Sequence, residues 1–134
     1  MWIRNSVEYT VLDAKWATWV WNTLTVQDFS NCVFSYATDG GWDAALTVKF
    51  QGSISETAPN FAAAQSVTNM WDYIEVIDLN TGSAIDWDTW VAVATADDYR
   101  LFEANINGLK WMNAVVTART AWEITIKAKL FDND

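Results

Sequence analysis

The chain has 134 residues, of which 51% are hydrophobic and 19% charged, and its 8 lysines and arginines against 17 aspartates and glutamates give a net charge of −9. That length suits one domain with a sizeable core, and the acidic balance argues against direct nucleic-acid binding or docking on an anionic membrane, both of which need cations against phosphate. With no histidine and one cysteine the chain lacks the commonest general base and the ligands of a tetrahedral zinc site, so no enzyme activity, metal or cofactor is expected.

The opening "MWIRNSVEYT" has no apolar run of signal-peptide type, and residues 1–5 read as a flexible N-terminus. Alternation of apolar and polar residues then predicts a first strand over Val7–Leu12. It is followed by "KWATWVWN", Lys15 to Asn22, which places three tryptophans within eight residues. Strands are predicted next at Asn22–Val26 and Asn31–Ala37, the second carrying Cys32 in an apolar setting that reads as a buried thiol. After the turn "TDGG" at 38–41 comes Trp42. The next strand has Ala44, Leu46, Val48 and Phe50 on one face.

Residues 55–70, "SETAPNFAAAQSVTNM", break the pattern. They hold the only proline, Pro59, and an alanine run without period two. This reads as a long connection, with at most one helical turn, crossing between sheets in the manner of a Greek key. Further strands are predicted at Asp72–Leu79, Trp90–Ala94, Tyr99–Ile106 and Trp111–Ala118. The last runs over Glu123–Leu130, with Ile124, Ile126, Ala128 and Leu130 on one face. Turns at "LNTG", "ADD" and "NG" separate them. About nine short strands so spaced imply an all-β fold, an antiparallel β-sandwich of jelly-roll or Greek-key type, in a single domain over residues 1–134. A faint internal echo relates "VQDFSNCVFSYATDGGWDAALTVKF" to "NINGLKWMNAVVTARTAWEITIKAKL". Trp42–Asp43 and "LTVK" parallel Trp122–Glu123 and "ITIK", as in two similar hairpins.

Carboxylates give no clear site. Asp86 and Asp88 in "DWDTW", with Asp97–Asp98 a strand later, lack the glycine and the terminal glutamate of a calcium loop and read as solvated turn residues. Glu75 and Glu103 fall on predicted strands, where a solvated face is the simpler reading than a glycosidase pair.

The ten tryptophans are the strongest signal. Trp71 and Trp111, at strand starts, read as core. Trp16, Trp19, Trp21, Trp42, Trp87, Trp90 and Trp122 fall at turns and strand edges, where a bulky ring points outward, and they are the candidate interface residues. The alternative is a carbohydrate-binding module or adhesin in which Trp87 and Trp90 form a stacking platform for sugar rings.

The C-terminal run "DDYRLFEANINGLKWMNAVVTARTAWEITIKAKLF" resembles the closing segments of small β-rich structural proteins of tailed bacteriophages. Ile106–Asn107–Gly108–Leu109 stands at the turn and Ile124–Thr125–Ile126–Lys127 in the final strand, and the likeness extends over roughly residues 24–131. Where such proteins tend to place glycine in turns, this chain has Trp42, Trp87, Trp90 and Trp122. The resemblance implies a non-enzymatic virion structural protein, such as a capsid-decorating or other head or tail subunit. Its partners would be itself, as a homo-oligomer with a trimer favoured, and other virion proteins, without nucleic acid or membrane. Its location would be the virion.

Overall fold

The computed structural model describes residues 6–15, 23–39, 46–85, 91–93, 99–119 and 123–132. Among them are eleven strands and no helix: β1 (Ser6–Lys15), β2 (Leu24–Thr25), β3 (Asn31–Asp39), β4 (Leu46–Ser53), β5 (Asp72–Tyr73), β6 (Val76–Asp78), β7 (Ala84–Ile85), β8 (Val91–Val93), β9 (Tyr99–Asn105), β10 (Trp111–Arg119) and β11 (Glu123–Phe131). They form two antiparallel sheets packed as a β-sandwich. The first has the order β1-β11-β3-β9-β6-β7. The second runs β2-β10-β4, and both β5 and β8 pair with the far edge of β4.

The alternating pattern does what period two requires. Ile126, Ala128 and Leu130 of β11 are buried, while Lys127 and Lys129 face solvent. Phe102 and Ala104 of β9 point inward, and Leu101 points out. The core is joined across the sandwich by three aromatic rings. Phe34 and Phe102 are cross-strand neighbours in the first sheet, and Phe50 reaches in from the second. Its ring centroid lies 4.4 Å from that of Phe34 and 6.3 Å from that of Phe102, both tilted. Such tilted pairs contribute beyond their buried area. Val26 and Ile106 are fully buried beside them. Cys32 is buried as expected, and burial raises its thiol pKa above the ordinary value, which keeps it protonated and unreactive.

Three sequence expectations are corrected. The run Asp72–Leu79 is two strands, not one. β5 belongs to the second sheet and β6 to the first, and the chain changes sheet at Ile74–Glu75. Inward and outward residues keep alternating through the change, with Ile74 packed against the core and Val76 buried, so the periodicity hides it.

The connection at 55–70 does not cross between sheets, because it joins β4 to β5, which are hydrogen-bonded neighbours. Nor does it contain a helical turn; side chains of Asn60, Gln65 and Asn69 take up its backbone groups instead. The two echoing segments are not hairpins either. β3 and β4 lie in different sheets, as do β10 and β11, and the pairing runs between the segments, β3 with β11 and β4 with β10.

The turn "LNTG" forms as predicted. Asp78 N–H donates to Ser83 O at 2.9 Å, Gly82 N–H donates to Asp78 O at 2.7 Å, and Gly82 takes a φ of 73°. β7, two residues long, carried too short a pattern to be read beforehand.

Phe34→Ala removes the ring that meets both sheets and is expected to cost about 3–5 kcal/mol. Equilibrium denaturation against the parent protein measures this directly.

Candidate functional site

The longest connection among the described residues, 54–71, folds over the outer face of the second sheet and is fixed there by side chains. Gln51 on β4 is buried and donates its amide N–H to the carbonyl of Phe61 at 3.2 Å, and Phe61 is itself buried. Ser53 Oγ donates to Met70 O at 2.6 Å and accepts from Ser55 N–H at 3.0 Å. Asn69 acts as an internal template. Its Oδ1 accepts from Asn60 N–H at 2.8 Å, and its Nδ2 donates to Asn60 O at 2.9 Å and Ala64 O at 3.0 Å. Gln65 closes the far end, donating to Trp71 O at 2.8 Å and to an Asp72 carboxylate oxygen at 2.9 Å. A loop so bonded needs no helix or ladder to satisfy its backbone.

The two described tryptophans belong to this arrangement rather than to the fully buried core. Trp71 is half-buried, stands edge-on to Tyr73 at 5.1 Å and 87°, and donates its indole N–H to Ala63 O at 3.0 Å. Trp111, also half-buried, donates its indole N–H to Ser55 O at 2.8 Å. Each ring uses its polar edge to hold the loop.

Held in this way, the loop presents apolar side chains to solvent: Ile54 at 75% exposure, Met70 at 55% and Val67 at 90%. Beside them runs a groove of about 440 Å³ lined by Ile54, Met70, Trp71, Ile74 and Leu109, with Gly52 in its floor. A β-carbon on Gly52 would come within 2.9 Å of Leu109 Cδ1 and 3.0 Å of Ile74 Cγ2, so the glycine keeps the floor open for these two side chains. Glu56, Asp72, Glu75 and Asp78 are the only charged residues in 54–85; Glu56 pairs with Lys110 at 3.3 Å and the buried Asp78 with Arg100.

A second exposed apolar area lies on the outer face of the first sheet. Tyr99 and Leu101 of β9 and Ile77 of β6 are exposed, as is Leu79 just beyond it. Leu79 N–H donates to Leu101 O at 3.1 Å, which holds the end of the patch together. Lys127 and Lys129 flank a shallow hollow of about 410 Å³ there, with Glu8 opposite Lys129 across the β1–β11 ladder. Asp78, nearly buried, pairs with Arg100 and also accepts from Asn80 N–H at 2.9 Å, an arrangement that pins the β6–β7 turn to β9.

The tryptophans singled out in the sequence as interface or sugar-platform residues, Trp16, Trp19, Trp21, Trp42, Trp87, Trp90 and Trp122, lie outside the described residues, and so do Asp86, Asp88, Asp97 and Asp98. Glu75 is exposed at the change of sheet, and Glu103 sits half-buried on β9 opposite Val33 and Ile77. Among the described residues no three metal-ligating side chains come together. Sequence reasoning missed Ile54, Val67 and Met70. The available signal was isolated apolar residues in a stretch otherwise rich in Ser, Thr, Asn and Gln.

The sequence matches no protein-family model and no curated protein. Solved structures do match the fold. The SPBc2 prophage-derived protein YomS superposes with a TM-score of 0.68 at 11% identity, over 98% of this chain and 97% of that one. The PBSX exported protein XepA gives a TM-score of 0.72 at 11% identity, over 98% of this chain and 39% of that longer one. The structural neighbours are thus phage-derived proteins, and at this identity the likeness is one of fold.

Asn69→Ala removes the template of the loop but touches little of the core. Limited proteolysis around Ala62–Ala64 should accelerate at least tenfold, while the global denaturation midpoint falls by the equivalent of only about 1 kcal/mol.

Proposed function

We propose that this chain is a non-enzymatic bacteriophage structural protein, a capsid-decorating or other head or tail subunit, that works by packing apolar surface against neighbouring subunits. The observation that carries the proposal is the loop 54–71, whose backbone is fixed by side-chain bonds while Ile54, Val67 and Met70 remain in solvent. Order without burial is costly for an isolated apolar loop, and a rigid apolar ridge beside a groove is what a protein interface needs. The fold shared with phage-derived proteins supports the setting. The tryptophans at predicted turns and edges would add contact area of the kind that dominates interfaces.

Light scattering after size exclusion tests the proposal. The parent protein is expected to form a stable oligomer, a trimer first. The triple variant Ile54→Ser, Val67→Ser, Met70→Ser should run as a monomer with an unchanged β-sheet circular dichroism spectrum. A parent protein that stays monomeric at every concentration, alone and with other virion proteins, would contradict it.

A further inference from the structure

The strand pairings contain a symmetry that neither the sequence echo nor the fold comparison reveals. β1–β4 and β8–β11 are two runs of four strands, each alternating between the sheets, the first beginning in one sheet and the second in the other. Every ladder of one kind has a counterpart. β2 pairs with β10, and β9 pairs with β3. β4 pairs with β8, and β11 pairs with β1. β3 pairs with β11, and β10 pairs with β4.

The registers agree where the ladders are regular and part at the bulges between Thr10 and Lys15 of β1 and between Val116 and Ala118 of β10. The displacement along the chain that carries Thr25 to Asn105 also carries Asn31 to Trp111, and the observed pairs are Thr25 with Trp111 and Asn31 with Asn105. The displacement that carries Leu46 to Ile124 carries Lys15 to Val93, and the pairs are Leu46 with Val93 and Lys15 with Ile124. Combining the two displacements turns the pair Asn31–Phe131 into Trp111–Ser53, which is again observed.

The connecting turns repeat as well. Phe29 N–H donates to Val26 O at 3.1 Å, and Leu109 N–H to Ile106 O at 2.9 Å. Each turn also bonds to the other, Val26 N–H to Lys110 O at 2.9 Å and Ile106 N–H to Ser30 O at 3.1 Å. Val26 and Ile106 are both fully buried, and Phe29 and Leu109 both pack against the core from its edge. Such reciprocity, in which one element contacts a second and the second returns the same contact, is the signature of a two-fold axis.

We infer that the sandwich is a fused dimer: two copies of one four-stranded unit, residues 6–53 and 91–132, intertwined about a pseudo-two-fold axis. Each half is therefore a surface built to take another copy of that unit, and the partner it fits is the other half of this chain or of a second copy. Among the described residues, all six ladders between β1–β4 and β8–β11 join one half to the other, and none lies within a half. Among the described residues a half alone therefore has no ladder of its own.

Core volumes explain why the sequence keeps only a trace of the repeat. Phe34 on β3 and Phe50 on β4 correspond to Ala114 on β10 and Ala128 on β11, and Phe34 faces Ala128 while Phe50 faces Ala114. At these two positions one half supplies the ring and the other the small side chain that leaves room for it, so the copies fit one another by differing. Residues 54–85, carrying β5, β6 and β7, have no counterpart and form an insertion between the copies. That insertion bears five of the eight exposed large hydrophobic side chains of the described residues, Ile54, Val67, Met70, Ile77 and Leu79.

A protease site placed between Ala63 and Ala64 in the full chain tests the inference. After cleavage the two fragments should remain together under native conditions at the mass of the intact protein. Separated in denaturant, neither should show a cooperative transition alone, and mixing should restore one whose midpoint rises with concentration. Fragments that part on cleavage, or one that folds by itself, would overturn the inference. A second variant tests equivalence of the copies: exchanging the turn sequences Val26–Ser30 and Ile106–Lys110 leaves composition unchanged and should preserve the β-sheet spectrum and cooperative unfolding. Loss of the fold in that variant would show that the two units are not copies.

Discussion

The structure depends on a constraint of connectivity: in most steps along the chain, successive strands enter opposite sheets. β3 therefore finds its partners in β9 and β11, and β4 finds β10 and β8 from the other end of the sequence, besides β5 nearby. The long ladders, Asn31–Asp39 with Glu123–Phe131 and Leu46–Ser53 with Trp111–Arg119, form only when distant segments meet. Loop-closure entropy opposes them until core burial compensates, which couples ladder formation to packing of Phe34, Phe50 and Phe102. A frame whose ladders join distant segments is expected to fold cooperatively.

The same constraint explains where variation can be tolerated. A frame whose ladders all bridge its two halves leaves only the segment between them free to elaborate, and that segment is 54–85. It is ordered by its own Asn60, Gln65, Asn69 and Trp71 and tied to the frame by Gln51 of β4 and the indole N–H of Trp111 of β10. It also carries exposed apolar side chains and, apart from Glu56, Asp72, Glu75 and Asp78, no charge. Most apolar burial lies in the frame, and most of the exposed large hydrophobic side chains of the described residues lie on the insertion.

Much of the fold was legible in the sequence because both sheets bury one face. Period two placed β1, β3, β4, β9, β10 and β11 within a few residues, and glycine marked the turns at Gly82 and Gly108, which adopt positive φ. Two kinds of feature were not legible. A change of sheet at Ile74–Glu75 leaves the alternation intact, so pattern alone reads Asp72–Leu79 as one strand. Order in 54–71 comes from single amide side chains bonding to nearby backbone, which has no periodic signature. The echo between the two halves was visible at Trp42–Asp43 and Trp122–Glu123, but complementary volumes such as Phe34 and Ala114 concealed its extent. The exposed apolar residues of the loop were the least legible, since a methionine or isoleucine in a polar loop looks like any other loop residue until its backbone is seen to be fixed.

Native-state hydrogen exchange tests the central claim, that the two halves hold each other in one cooperative unit. Amides in the middle of the β3–β11 and β4–β10 ladders, such as those of Phe34, Ala128, Phe50 and Ala114, should share one opening free energy equal to that of global unfolding. Slow exchange in one ladder with independent, lower-energy opening of the other would contradict it.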